Sequence, residues 1–64
     1  MPELSLSPDG DFLFVRGFPN QTRPDEIDIN SKEAEKILEE AANETGTTFN
    51  GVKNTLTQGK TIEY

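Results

Sequence analysis

The segment from Ile29 to Gly46 constrains the fold more than any other stretch of the chain. Ala34, Ile37, Leu38, Ala41, Ala42 and Thr45 recur at three- and four-residue spacing. That period lines one face of an α-helix and suits no strand. Asn30 precedes the stripe as a helix-capping residue, with Glu33 three positions on as its capping-box partner. Ile29 stands before the cap, where it can pack on Ala34 as a hydrophobic staple. Gly46 follows the last apolar position, where a left-handed C-terminal cap belongs. The spacing therefore predicts a helix over about residues 31–45. Its inner face is narrow and alanine-rich, so a sheet or a second helix can approach closely.

The rest of the chain must supply what that face packs against. Residues 3–18 read as a β-hairpin. Leu4 and Leu6 alternate with polar neighbours, and Ser7-Pro8-Asp9-Gly10-Asp11 supplies turn chemistry. Pro8 suits the first central position of a type I turn, and Gly10 can take the positive φ that follows. On the return strand, Asp11 to Phe18, alternation puts Phe12, Phe14 and Phe18 on one face and Leu13 and Val15 on the other. Both faces are apolar, so one is expected to meet the helix and the other a partner or a second copy. Residues 19–29 read as a loop leading to an edge strand, with Asp25, Glu26 and Asp28 interrupting Ile27 and Ile29.

Residues 47–64 admit two readings. Phe49, Val52 and Leu56 share a helical face over 48–58, with Gly59 as a stop. Against this, Asn50-Gly51 is a hairpin-turn dipeptide and the threonines favour strands. Lys60 to Tyr64 reads as a strand either way. The expected class is α+β: an N-terminal hairpin, a central helix on an antiparallel sheet, and a C-terminal strand. The alternative replaces the C-terminal β region with a second helix and gives a helix-turn-helix-like second half, helices about 31–45 and 48–58. Either way residues 1–64 make a single small domain.

Composition bounds the function. A 64-residue chain buries only about 60% of its unfolded surface, so its stability is marginal. A homodimer is one way to add buried area. There is no cysteine and no histidine, which removes disulfides, thiolate zinc sites and the commonest general base. No serine has an activating histidine. Asp9-Gly10-Asp11 lacks a downstream ligand at calcium-loop spacing. Gln58-Gly59-Lys60-Thr61 ends like a phosphate loop, but Asn54 stands where its first glycine is required. The expectation is a non-enzymatic protein with no cofactor and no metal. No apolar run approaches a membrane span and the start lacks a signal-peptide pattern, so the expected location is cytoplasmic.

Twelve acids against six bases give a net charge of −6. Residues 25–45 alone carry a net −6, while 1–24 carry −1 and 46–64 carry +1. Glu35/Glu39 and Glu40/Glu44 are like-charge pairs at i,i+4. Glu40 and Glu44 also lie near the helix C-terminus, where the dipole disfavours anions. Only Lys36, within reach of Glu39 or Glu40, relieves them. The bland account is a solvated face. The functional one is an anionic surface for a basic protein partner, formed by Glu35, Glu39, Glu40 and Glu44 and extended by Asp25, Glu26 and Asp28. In size and charge the chain resembles small phage-encoded inhibitors that imitate nucleic acid. That resemblance implies a partner that normally handles nucleic acid.

A second pattern, Ala42-x3-Gly46-x5-Val52-x3-Leu56, resembles the helix-turn-helix signature. With Gly59-Lys60 and Tyr64, the stretch from Ser31 to Tyr64 is similar to the small helix-turn-helix modules attached to homing nucleases. Thr45 and Thr47 stand where that family carries apolar residues. The resemblance implies a DNA-binding face built on Asn50, Lys53, Asn54, Gln58 and Lys60. Electrostatics oppose it: Lys53 is the one cation of that second helix, and affinity for DNA comes largely from cations on phosphates. A third class, a structural or assembly subunit, would use Phe12, Phe14, Leu13 or Val15 as its contact surface.

Overall fold

A computed structural model describes residues 2–64. The elements run β1 (Glu3–Leu6), β2 (Phe12–Arg16), β3 (Asp25–Asp28), α1 (Lys32–Thr45), α2 (Phe49–Thr57) and β4 (Ile62–Glu63). The strands form one antiparallel sheet in the order β3-β2-β1-β4. Both helices pack on the same side of it, so the class is α+β. The second half takes the two-helix form, and β4 closes the sheet beside β1.

The first hairpin turns as its residues dictate. Gly10 N–H donates to the Ser7 carbonyl at 2.9 Å and Gly10 sits at φ 78°. Asp9 accepts from Ser7 Oγ and from Asp11 N–H, which holds its carboxyl below the ordinary carboxylate range. Register then decides the faces of the sheet. Leu4 lies opposite Val15 and Ile62, and Leu13 opposite Ile27. Leu4, Leu13 and Val15 are buried under the helices against Ala34, Leu38, Ala41, Ala42, Val52 and Leu56. Leu13 and Val15 are thereby removed from any assembly surface. The other face keeps Phe12 and Phe14, with Phe12 43% exposed. Phe18 does not join them: β2 ends at Arg16, Gly17 takes φ 101°, and Phe18 lies 48% exposed in the loop.

Capping of α1 differs from the expected pattern by one residue. Ser31, not Asn30, is the cap, and its Oγ accepts from Ala34 N–H at 3.2 Å. Asp28 explains the shift. Its carboxylate accepts from Asn30 N–H and its carbonyl from Ser31, which forms a tight turn that uses up Asn30 before the helix begins. The Asn30–Glu33 box is displaced with it. At the other end Gly46 adopts φ 71° and donates to the Ala42 and Asn43 carbonyls, the left-handed cap expected there. Thr45 leaves the apolar stripe. It is exposed, and its hydroxyl bonds the Ala41 carbonyl at 2.7 Å and lies 3.0 Å from Thr47 Oγ1.

The stretch 49–57 is helix despite its threonines and Asn50-Gly51. Thr48 caps it, accepting from Gly51 N–H at 3.0 Å. Asn50 and Gly51 therefore fall in the first turn, where poor helix propensity matters least because the first amides have no intrahelical partner. Gly51 does not take the positive φ that a hairpin turn would demand. A Cβ there would come 3.2 Å from the Thr48 hydroxyl, so the small residue serves the cap. Thr55 and Thr57 turn their hydroxyls onto the Gly51 and Lys53 carbonyls at 2.9 and 2.8 Å. Burial of Val52 and Leu56 outweighs β propensity here.

Candidate functional site

The outer face of α1 carries Glu33, Glu35, Lys36, Glu39, Glu40, Asn43 and Glu44, all exposed. Its inner residues Ala34, Leu38, Ala41 and Ala42 are buried. The carboxylates are therefore aimed outward by the same periodicity that builds the core. Glu33 and Glu35 occupy the first turn, where the dipole favours them. The last turn has no basic residue, so the negative helix terminus and the Glu40 and Glu44 side chains reinforce one another.

Lys36 does not relieve this face as expected. Among the described residues the one ion pair is Arg16 Nε to Glu3 Oε1 at 3.7 Å, across the β1–β2 register. No α1 carboxylate has a cation within 4.0 Å in the described residues. Tyr64 instead registers the local charge. Its hydroxyl is pushed above the ordinary tyrosine range, first by burial and then by the negative charges of Glu40 and Glu44. Its backbone N–H donates to the Pro2 carbonyl at 3.0 Å, and its ring packs against the core. Nothing in the sequence links Tyr64 to Glu40, because the sheet closing through β4 is what brings Tyr64 within the influence of that charge.

The other acidic residues lie elsewhere. Along the edge strand β3, Asp25 and Ile27 share the helix-side face with Val15 and Leu13, while Glu26 and Asp28 stand opposite Phe14 and Phe12 on the open face. The fold thus divides the acidic residues between the outside of α1 and the β3 edge of the sheet, against which α1 packs. A depression of about 360 Å³ lies beside Glu26, lined by Phe14, Arg16, Arg23, Pro24 and Asp25. Both arginines of the chain face it.

The candidate DNA-reading residues are also placed. Asn50, Lys53, Asn54, Gln58 and Lys60 are all exposed on the outside of α2 and the turn after it. Lys53 Nζ lies 5.9 Å over the Phe49 ring. No group of three or more Asp or Glu side chains converges at metal-binding distance among the described residues. No helix of the described residues is long and apolar enough to cross a membrane. Compared with protein-family models, curated proteins and solved structures, the chain matches none of them.

Proposed function

We propose that the protein is a non-enzymatic binding module whose α1 outer face docks on a basic surface of another protein. One observation carries the reading: the exposed carboxylates Glu35, Glu39, Glu40 and Glu44 have no cation within 4.0 Å among the described residues. Glu40 and Glu44 also oppose the helix dipole, so helix stability gives no reason for them. A cationic partner would relieve both penalties and raise the association rate through long-range attraction. Charge of this sign and density suits a partner that ordinarily holds nucleic acid, as a phage-type inhibitor would target.

The test is reversal of Glu39, Glu40 and Glu44 to lysine, with the fold monitored by circular dichroism. Association with a basic nucleic-acid-handling partner should be lost, and the parent interaction should weaken steeply with salt. Undiminished binding by the folded variant would overturn the reading.

A second reading, a helix-turn-helix DNA-binding regulator, is favoured by one feature. Residues 49–57 form a helix after the short turn Gly46–Thr48, with Asn50, Lys53 and Asn54 exposed. A mobility shift at low salt that Lys53→Ala weakens would support it. No shift at low salt would remove it.

A further inference from the structure

β3 stands at an edge of the sheet, next to β2 alone, and its backbone pairing shows which groups are left for a further strand. Ile29 N–H donates to the Asp11 carbonyl at 3.1 Å, continuing the β2–β3 register. In an antiparallel ladder the residues alternate between facing the neighbour and facing away. Asp25, Ile27 and Ile29 therefore spend their backbone groups on β2, while Glu26 and Asp28 turn theirs outward. The Asp28 carbonyl is taken by Ser31. The Glu26 N–H and C=O and the Asp28 N–H face outward, with no strand beyond them among the described residues. Beside this row Ile27 is only half-buried, on the side of the sheet that α1 covers, and Ile29 and Ile37 are half-buried as well.

We infer that β3 accepts an extended basic segment of another protein as a fifth strand of the sheet, with alternating basic and apolar residues. The outward amides and carbonyl give the ladder. The apolar positions of the incoming strand continue the core past Ile27, and its basic positions lie on the open face against Asp28 first and Glu26 second, since Arg16 and Arg23 already line the depression beside Glu26. A second copy of this chain is disfavoured as occupant, because β3 against β3 sets Asp25, Glu26 and Asp28 among the same carboxylates of the other copy, and like charges across strands repel. The inference shares with the α1 reading only a cationic partner; it uses a different surface and stands without it.

The test uses the full chain, isotope-labelled, and the capped peptide Lys-Val-Lys-Val-Lys-Val-Lys at low salt. Binding should slow amide hydrogen exchange at Glu26 and Asp28 by roughly tenfold or more, with shifts concentrated on residues 25–28. The Glu-Val analogue should not bind. Glu26→Pro removes an outward N–H and no bond to β2, a change that edge strands tolerate, and should weaken binding by roughly tenfold relative to Glu26→Ala. Compared at about 0.15 M salt, where charges more than about 8 Å apart are largely screened, reversing Glu39, Glu40 and Glu44 should leave peptide binding within about twofold. Equal binding by the Pro and Ala variants, shifts confined to α1, or no binding at low salt would each overturn the inference. Loss of binding on α1 reversal with unprotected β3 amides would point to the helix face alone.

Discussion

Glu44→Lys should make this protein more stable, and the gain can be worked from its place at the end of α1. Glu44 lies one residue before the end of a helix whose last turn has no base, and one turn after Glu40. Replacing a repulsive i,i+4 pair with an attractive one, glutamate leading lysine, is worth about 0.4–1 kcal/mol. Reversing the charge against the dipole adds about 0.6 kcal/mol at the low end suited to an exposed site. Solvent and salt trim the sum to about 1 kcal/mol. For a domain of this size that raises Tm by roughly 4–8 °C. Thermal unfolding followed at 222 nm in low salt measures it directly, and added salt should erase most of the gain. An unchanged or lower Tm at low ionic strength would refute the electrostatic argument, since it would mean Glu44 already has a stabilising partner. If α1 is the docking face, the same variant is more stable and binds worse.

Tyr64 is the chain's single tyrosine and no tryptophan obscures it, so absorbance at 295 nm reports its ionisation cleanly. Its pKa is raised in the folded state. The stability this contributes is present below the unfolded value near pH 10 and is lost as pH rises through the folded value. Glu40→Gln with Glu44→Gln should lower the midpoint without restoring it fully, because burial is the larger cause; an unmoved midpoint would refute the influence of these two charges. Ser31→Ala should cost about 1 kcal/mol in denaturant unfolding, whereas Asn30→Ala should change it by no more than about 0.5 kcal/mol. Gly46→Ala has room for its methyl group, with nothing within 4 Å, so its cost of about 1–2 kcal/mol should measure the left-handed backbone alone. Leu38→Ala, at a fully buried position, should cost about 2–5 kcal/mol and leave little of the protein folded at 37 °C.

Much of the fold could be read locally. The α1 stripe, Gly46, the Ser7–Asp11 turn and the charged edge strand all follow from residues within a few positions of one another. What escaped depends on which of several competing partners wins, some of them neighbours and some distant in the chain. Asn-Gly at 50–51 is the same dipeptide in a hairpin turn and in a helix's first turn; only the cap on Thr48 and burial of Val52 and Leu56 distinguish them. Ser31 replaced Asn30 as cap because Asp28, two residues back, captures Asn30. The acidic residues are continuous along the chain, yet pairing with β2 turns Glu26 and Asp28 to the open face of the sheet, away from the α1 carboxylates. The influence of Glu40 on Tyr64 could not be foreseen, since the position of Tyr64 depends on β4 joining the sheet after both helices.

That late joining bears on how the protein folds. Leu4, with no exposed surface, is flanked by Val15 and by Ile62. One partner arrives early in synthesis and the other near residue 64. The hairpin and the helix pair can begin locally and fast, but the β1–β4 ladder closes a loop of nearly the whole described chain. Such long-range pairing costs closure entropy before it returns any stability. Until it forms, one flank of Leu4 lies open. The folding rate should therefore be set by this two-residue strand, and a weakened Ile62 should slow folding more than its small contact area suggests.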